Sequence, residues 1–285
     1  MAMIHSVVHR AKMIPVVNSL TKTRWFQRLR YKVTLRLSKK VNCQFTSFLR
    51  LPTQYEALCG PVLDFLVDGN KAKAVRIVIL GCSNGAEPYS VASVLRSRHP
   101  DLEFHIDAFD LDSDVVRKAK SMCYTSEEVF SNETGTDQFD DFVKNTFDME
   151  NDVYHIKSDV GRHVKCGVAN VLDSKLKEKI GTADIVYVQH LLIHLKVGDQ
   201  KKAFRNIYSL LNPKAALFAA GNEYDALQKL TTRYDLWPLE YKIEQIHREV
   251  GVYGKGWPWA YWGVEPLDDL GKGWKRRYCT IFLNC

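Results

Sequence analysis

The sequence predicts a doubly wound α/β fold built on a parallel sheet. Two observations point there. From residue 75 onward, short apolar runs alternate with stretches of helix length, the pattern of successive strand–helix units. The first run, Val75 to Leu80, leads into Gly81-Cys82-Ser83-Asn84-Gly85 and then a helix start, the strand–turn–helix opening of a ligand crevice. The size agrees, because 285 residues can hold one sizeable domain plus an appendage. A composition that is 46% hydrophobic and 11% aromatic is rich enough to bury a core.

The elements follow in order. Residues 1–41 read as a basic arm. Arg28, Lys32, Arg36 and Lys40 recur every fourth residue beside Phe26, Leu29, Val33 and Leu37. That spacing predicts a helix with a cationic face, although residues 28–38 also alternate basic and apolar as a strand would. An apolar connector, FTSFLRLPTQYEALCGPVLDFL, precedes strand 75–80. Helix 87–98, strand 103–109 and helix 113–121 come next. Residues 122–162, rich in Asn, Asp, Thr, Ser and Gly, read as an irregular insertion or small inserted subdomain. Strands 163–169 and 183–188, helix 199–211, strand 215–220 and a helical stretch over 222–249 follow. A loop over 251–276, with Trp257, Trp259, Tyr261, Trp262 and Trp274, precedes a last strand at 278–283.

Charge is placed unevenly. Residues 1–55 hold eleven Lys or Arg and no acid, so the net charge of +7 resides in the arm. Such asymmetry concerns partners rather than fold, and it suits an anionic partner or membrane surface. No RNA-binding module or base-stacking signature accompanies it, which argues against nucleic acid. No apolar run nears the ~18 residues that span a bilayer. Arg10 and Lys12 interrupt the apolar N-terminal stretch, as a secretory signal would not. The acid-free, hydroxyl-bearing arm also has the composition of a mitochondrial presequence. The seven cysteines form no C-x-x-C and no Cys/His metal spacing. The expectation is a cytoplasmic protein with reduced thiols and no metal.

In an open α/β sheet the ligand lies beyond the carboxyl ends of the strands. That gathers residues 81–87, Asp110, Asn170 and Gln189 around one crevice. A carboxylate at the end of the second strand, Asp110, accepts hydrogen bonds from a ribose diol. Glu87 sits where a helix start would otherwise receive a phosphate, and it would repel one. A ligand with a ribose and a positive group suits the pair, and S-adenosyl-L-methionine fits where a dinucleotide does not. The plainer alternative is that Glu87 only stabilises its own helix start.

Five segments carry a family resemblance. GCSNGAEPYS resembles the G-x-S-T-G-E-E-P-Y-S signature of the chemotaxis-receptor (CheR-type) methyltransferases. FTSFLR resembles their T-x-F-F-R element, DAFDLD their ribose-binding strand end, VANVLD their V-N-L-L/D element, and DIVYVQHLLIHL their F-D-x-I-x-C-R-N-V-x-I-Y-F strand. Order and approximate spacing agree over about residues 42–222. The resemblance implies a class I methyltransferase (Rossmann-like) domain over 42–285, with a seven-stranded sheet whose last strand is antiparallel. It implies that Thr46 and Arg50 belong to the cofactor site, with Arg50 on the methionine carboxylate and Glu87 on the ammonium end. Asp110 would take the ribose and Asn170 the adenine, while Gly81, Ser83 and Gly85 form the turn.

The acceptor side departs from the family. Its R-N pair is Gln189-His190 here, and its I-Y-F tyrosine is His194. Its G-H-S-E is Gly221-Asn222-Glu223-Tyr224, and the first acid of its E-E pair is Ala86. His190 and His194 lie four apart and would share a face of a helix. Either could serve as general base for a hydroxyl acceptor, whereas a carboxylate needs none. The expectation is transfer to a hydroxyl or carboxyl of a small molecule or glycan. The alternatives are a protein-glutamate O-methyltransferase and a non-catalytic nucleoside-binding scaffold.

Overall fold

A computed structural model of the protein describes residues 46–67, 74–131, 137–251 and 272–285, with positions 23, 26, 29, 33 and 267. Most of the helix expected within 22–40 and most of the Trp-rich loop lie outside the described residues. The chain divides into two units, Met1–Val41 with His247–Trp274, and Asn42–Ile246 with Lys275–Cys285. The second carries the sheet.

Helix α1 (Pro52–Ala57), a π turn (Leu58–Val62) kinked at Gly60, and α2 (Leu63–Val67) lead into β1 (Val75–Leu80). There follow α3 (Ala86–Arg98), β2 (Phe104–Asp110), α4 (Ser113–Ser121), β3 (Cys123–Thr125), α5 (Ser126–Phe130), α6 (Asp137–Thr146), β4 (Phe147–Glu150), β5 (Val153–Ile156) and α7 (Ser158–Gly161). The second half runs β6 (Val164–Val168), α8 (Leu176–Ile180), β7 (Ala183–Tyr187), a 3-10 turn (Leu192–His194), α9 (Val197–Ser209), β8 (Leu211–Phe218) and α10 (Tyr224–Arg233). It closes with β9 (Trp237–Pro238), α11 (Ile243–Gly251), α12 (Trp274–Tyr278) and β10 (Ile281–Asn284). None of the described helices is long and apolar enough to cross a membrane.

Seven strands form one sheet in the order β6-β2-β1-β7-β8-β10-β9. The pairs from β6 to β8 are parallel, and β10 runs antiparallel to both β8 and β9. This is the doubly wound class I methyltransferase sheet that the resemblance implies. The strands at its centre are apolar on both faces, as strands covered by helices on both sides must be. Ile77, Val78, Ile79, Ile185, Val186 and Leu217 are fully buried. The order reverses between β1 and β7, so the crevice opens at the ends of β1, β2, β6 and β7.

The inserted segment forms a subdomain: among the described residues β3, β5 and β4 make a second, antiparallel sheet. Its polar composition hid an aromatic core, in which Phe48 meets Tyr124 and Phe147 edge-on at 4.9 and 5.0 Å. Two expectations are corrected. The helical stretch over 222–249 is two helices. Asp235 adopts a left-handed backbone (φ 52°) and ends the first, and Trp237-Pro238 pair with β10 before the second begins. The last strand starts three residues later than expected, after the short α12. Trp274, counted with the loop in the sequence, opens that helix.

Candidate active site

The glycine turn is built from three left-handed residues, Gly81 (φ 81°), Ser83 (φ 49°) and Gly85 (φ 94°). Gly81 and Cys82 both donate to the Phe109 carbonyl, which clamps the turn to the end of β2. Ser83 N–H donates to Asp110 Oδ2 at 2.9 Å, and Asp112 N–H donates to Oδ1 at 3.1 Å. The Asp110 carboxylate is therefore aimed by backbone on both sides and keeps lone pairs for a ligand. Gly85 faces away from the crevice. A Cβ there would lie 2.9 Å from Tyr124 Oη and from Tyr89. Its role is to let α3 start close against those rings, and Tyr124 Oη in turn donates to the Asn84 carbonyl at 2.7 Å.

The segment before α1 reaches the same place by a local device. Leu49 has φ 48°, and its N–H donates to Ser90 Oγ at 3.0 Å on the first turns of α3. Phe48 is locked in the aromatic core of the insertion. Those two anchors put Arg50 beside Glu87. Burial pushes the Glu87 carboxyl up to about 8, against the opposing pull of the Arg50 guanidinium.

Beyond β7 the chain is not helical, so the shared helix face expected for His190 and His194 does not form. His190 has φ 52°, its N–H donates to the Ala220 carbonyl, and only Leu192–His194 make a 3-10 turn. The His190 ring lies flat on Gly221, where a Cβ would fall 2.0 Å from Nδ1. Burial, the Arg50 charge and His194 hold its imidazole well below the usual histidine range. Gln189 is a bracket. Its Oε1 accepts from Ala220 N–H at 2.6 Å, and its amide donates to Gln54, which donates to Thr280 at 2.7 Å.

These groups surround a cavity of about 580 Å³. Thr46, Arg50, Gly81, Ser83, Glu87, Asp110, Asn170, Gln189, His190 and His194 all line it, and Gly85 alone of the expected residues does not. Asn170 stands at its rim with Oδ1 accepting from Leu172 N–H at 2.9 Å. Sequence reasoning missed Tyr187, Gln54, Tyr55 and Leu111 on the lining, and Asn222 behind it. Leu111, 66% exposed beside Asp110, offers an apolar face for a base. Asn222 ties the Val188 and Ala219 carbonyls to Leu192 N–H. Its place in the departed G-H-S-E element was the available signal.

A carboxylate aimed by backbone donors, an apolar rim and a half-buried carboxylate–guanidinium pair fit a nucleoside bearing a charged amino-acid tail. With the sheet order, they define a class I methyltransferase whose cofactor is S-adenosylmethionine. Residues 44–243 match the family model described as CheR methyltransferase, SAM binding domain, and the chain belongs to that family. The chain is 30% identical over 190 residues to a probable biofilm formation methyltransferase WspC of Pseudomonas putida, covering 66% of this chain and 43% of the relative. It is 28% identical over 182 residues to chemotaxis protein methyltransferase 2 of Vibrio cholerae, covering 62% and 61%. To the chemotaxis protein methyltransferase of Escherichia coli it is 27% identical over 150 residues, covering 52% and 51%. The chain thus spans less than two thirds of each of these relatives.

Proposed function

We propose that the protein transfers the methyl group of S-adenosylmethionine to a side-chain carboxylate of a protein, forming a methyl ester. The observation that carries this reading is the match of residues 44–243 to the CheR methyltransferase family, and the state of His190 agrees with it. An imidazole held well below the usual histidine range is neutral at pH 7 and a weak base. It suits an acceptor that ionises unaided, and Glu does so with a pKa of ~4.3. The names of the Vibrio cholerae and Escherichia coli relatives as chemotaxis protein methyltransferases support a protein acceptor. This reading replaces the small-molecule or glycan acceptor suggested by the departures at Gln189, His190 and His194.

The cofactor supplies a methyl on a positively charged sulfur. In our reading Asp110 takes the ribose hydroxyls, Asn170 and Leu111 border the adenine, and Arg50 with Thr46 takes the methionine carboxylate. Glu87 takes the ammonium, and Gly81 and Ser83 let the backbone come close. His190, on its Gly221 platform, and His194 border the acceptor and orient it. The acceptor oxygen forms the new bond to carbon as the carbon–sulfur bond breaks, and the electron pair stays on sulfur. An anion and a cation become a neutral ester and a thioether. Loss of charge in a cavity that excludes water lowers the barrier, provided the two reactants are aligned.

Labelled methyl donor and a total protein extract test this. The label should appear on protein and leave as methanol in mild alkali. At saturating cofactor the rate should be flat from pH 6 to 8, and His190→Gln or His194→Gln should reduce it only several-fold. Alkali-stable label on a small molecule, or a loss of ~10²-fold or more in either histidine variant, would return the hydroxyl acceptor and its histidine base.

A further inference from the structure

We propose that Tyr187 is a positioning residue for the charged end of the cofactor: its Oη–H donates to the Glu87 carboxylate once the bound ammonium holds that carboxylate ionised. The proposal rests on the reading that Glu87 receives the ammonium. It begins from an unmet need in the free protein. Tyr187 is 2% exposed, its Oη is shut off from solvent, and that oxygen has no hydrogen-bond partner among the described residues. A buried hydroxyl without a partner carries the full cost of its desolvation. Such groups occur where another state of the protein supplies the partner.

Several observations select Glu87 as that partner. Tyr187 is the last residue of β7 and lines the cofactor cavity. The ionisable groups within its electrostatic reach are Tyr55, Glu87 and Cys59. Arg50 acts on Glu87, and Glu87 in turn acts on Cys82 and Tyr187. Among the described residues no hydrogen bond occupies the Glu87 carboxyl, which stands half-buried on the cavity lining. The Tyr187 ring cannot swing, because it is stacked on Phe218 at 4.3 Å between centroids and 9° between planes. Glu87 has three rotatable side-chain bonds and can close the gap. Ser47 Oγ, also buried on the cavity lining without a partner, shows the same need but lies on the arginine side.

The chemistry then fits. A protonated carboxyl gains little from a phenol donor, whereas a carboxylate gains a charge-assisted hydrogen bond. Cofactor binding converts the first into the second. The phenol would thus favour the loaded state and leave the empty one unchanged, which is differential binding of one conformation by one group.

The test is Tyr187→Phe, which removes only Oη and keeps the stack on Phe218. Calorimetry should show S-adenosylmethionine bound about tenfold more weakly, the loss of one hydrogen bond to a charged group. Methylthioadenosine, which lacks the amino-acid end, should bind as to wild type. The melting temperature of the free variant should not fall. In a Glu87→Gln background, Tyr187→Phe should change S-adenosylmethionine affinity less than twofold. Equal weakening of both ligands, or the same tenfold loss in the Glu87→Gln background, would overturn the proposal. If Glu87→Gln alone leaves S-adenosylmethionine affinity intact, the reading of Glu87 fails first. If it weakens binding while Tyr187→Phe does not, only the role of Tyr187 fails.

Discussion

The Asp110 carboxylate is held through both of its oxygens. Ser83 and Asp112 N–H each occupy one of them, so the carboxylate is oriented before any ligand arrives. Asp110→Ala should weaken cofactor binding by ~1–3 kcal/mol, the cost of leaving buried partners unsatisfied. Titration calorimetry measures it, and circular dichroism should show the fold intact. Unchanged affinity would place the ribose elsewhere. Asp110 and Glu87 are legible in the sequence because a strand end and a helix start force their direction, whereas Arg50 comes only from the family resemblance. Gly85 is misread. Glycine in a turn is locally a binding residue or a packing residue, and only Tyr89 and Tyr124, the latter 39 positions away, decide between them. Gln189 and Tyr187 are harder still, since their partners Gln54, Ala220 and Phe218 are distant in sequence.

The second, smaller sheet does not line the cavity but packs behind the segment that carries Arg50. Phe48 is fully buried among Tyr124, Phe142 and Phe147, and it lies two residues from Arg50 and one from the strained Leu49. The insertion and the cofactor-binding segment are one packing unit. Phe48→Ala should cost about 3–5 kcal/mol in urea unfolding, as large aromatic truncations in cores do. It should also raise the Kd for S-adenosylmethionine several-fold by freeing Arg50. Loss of stability with unchanged affinity would mean that the Leu49–Ser90 hydrogen bond alone sets Arg50. The parallel strands are legible because each is an apolar run between breakers. The insertion is not, because its strands are three or four residues long and its core is borrowed from Phe48, far upstream.

Two buried groups at the cavity tie the stability of the whole domain to pH in opposite senses. His190 is held well below its ordinary value, so the folded state resists its protonation. Its contribution is present above the unfolded value of ~6.5 and is lost as pH falls below it. Glu87 is raised from 4.5 to about 8. Between those values the folded state holds a proton that the unfolded state has released, so stability falls as pH rises. Below 6.5 the two trends oppose each other, but from 6.5 to 8 His190 is neutral in both states and Glu87 acts alone. The melting temperature of the free protein should therefore decline across pH 6.5–8. Glu87→Gln should flatten that slope, because an amide does not titrate. Saturating S-adenosylmethionine should flatten or reverse it, because the ammonium stabilises the ionised carboxylate and binding strengthens as the proton leaves. Methylthioadenosine should raise the melting temperature and leave the slope in place. A slope that survives both Glu87→Gln and S-adenosylmethionine would assign the titration to another group and remove Glu87 from the ammonium site.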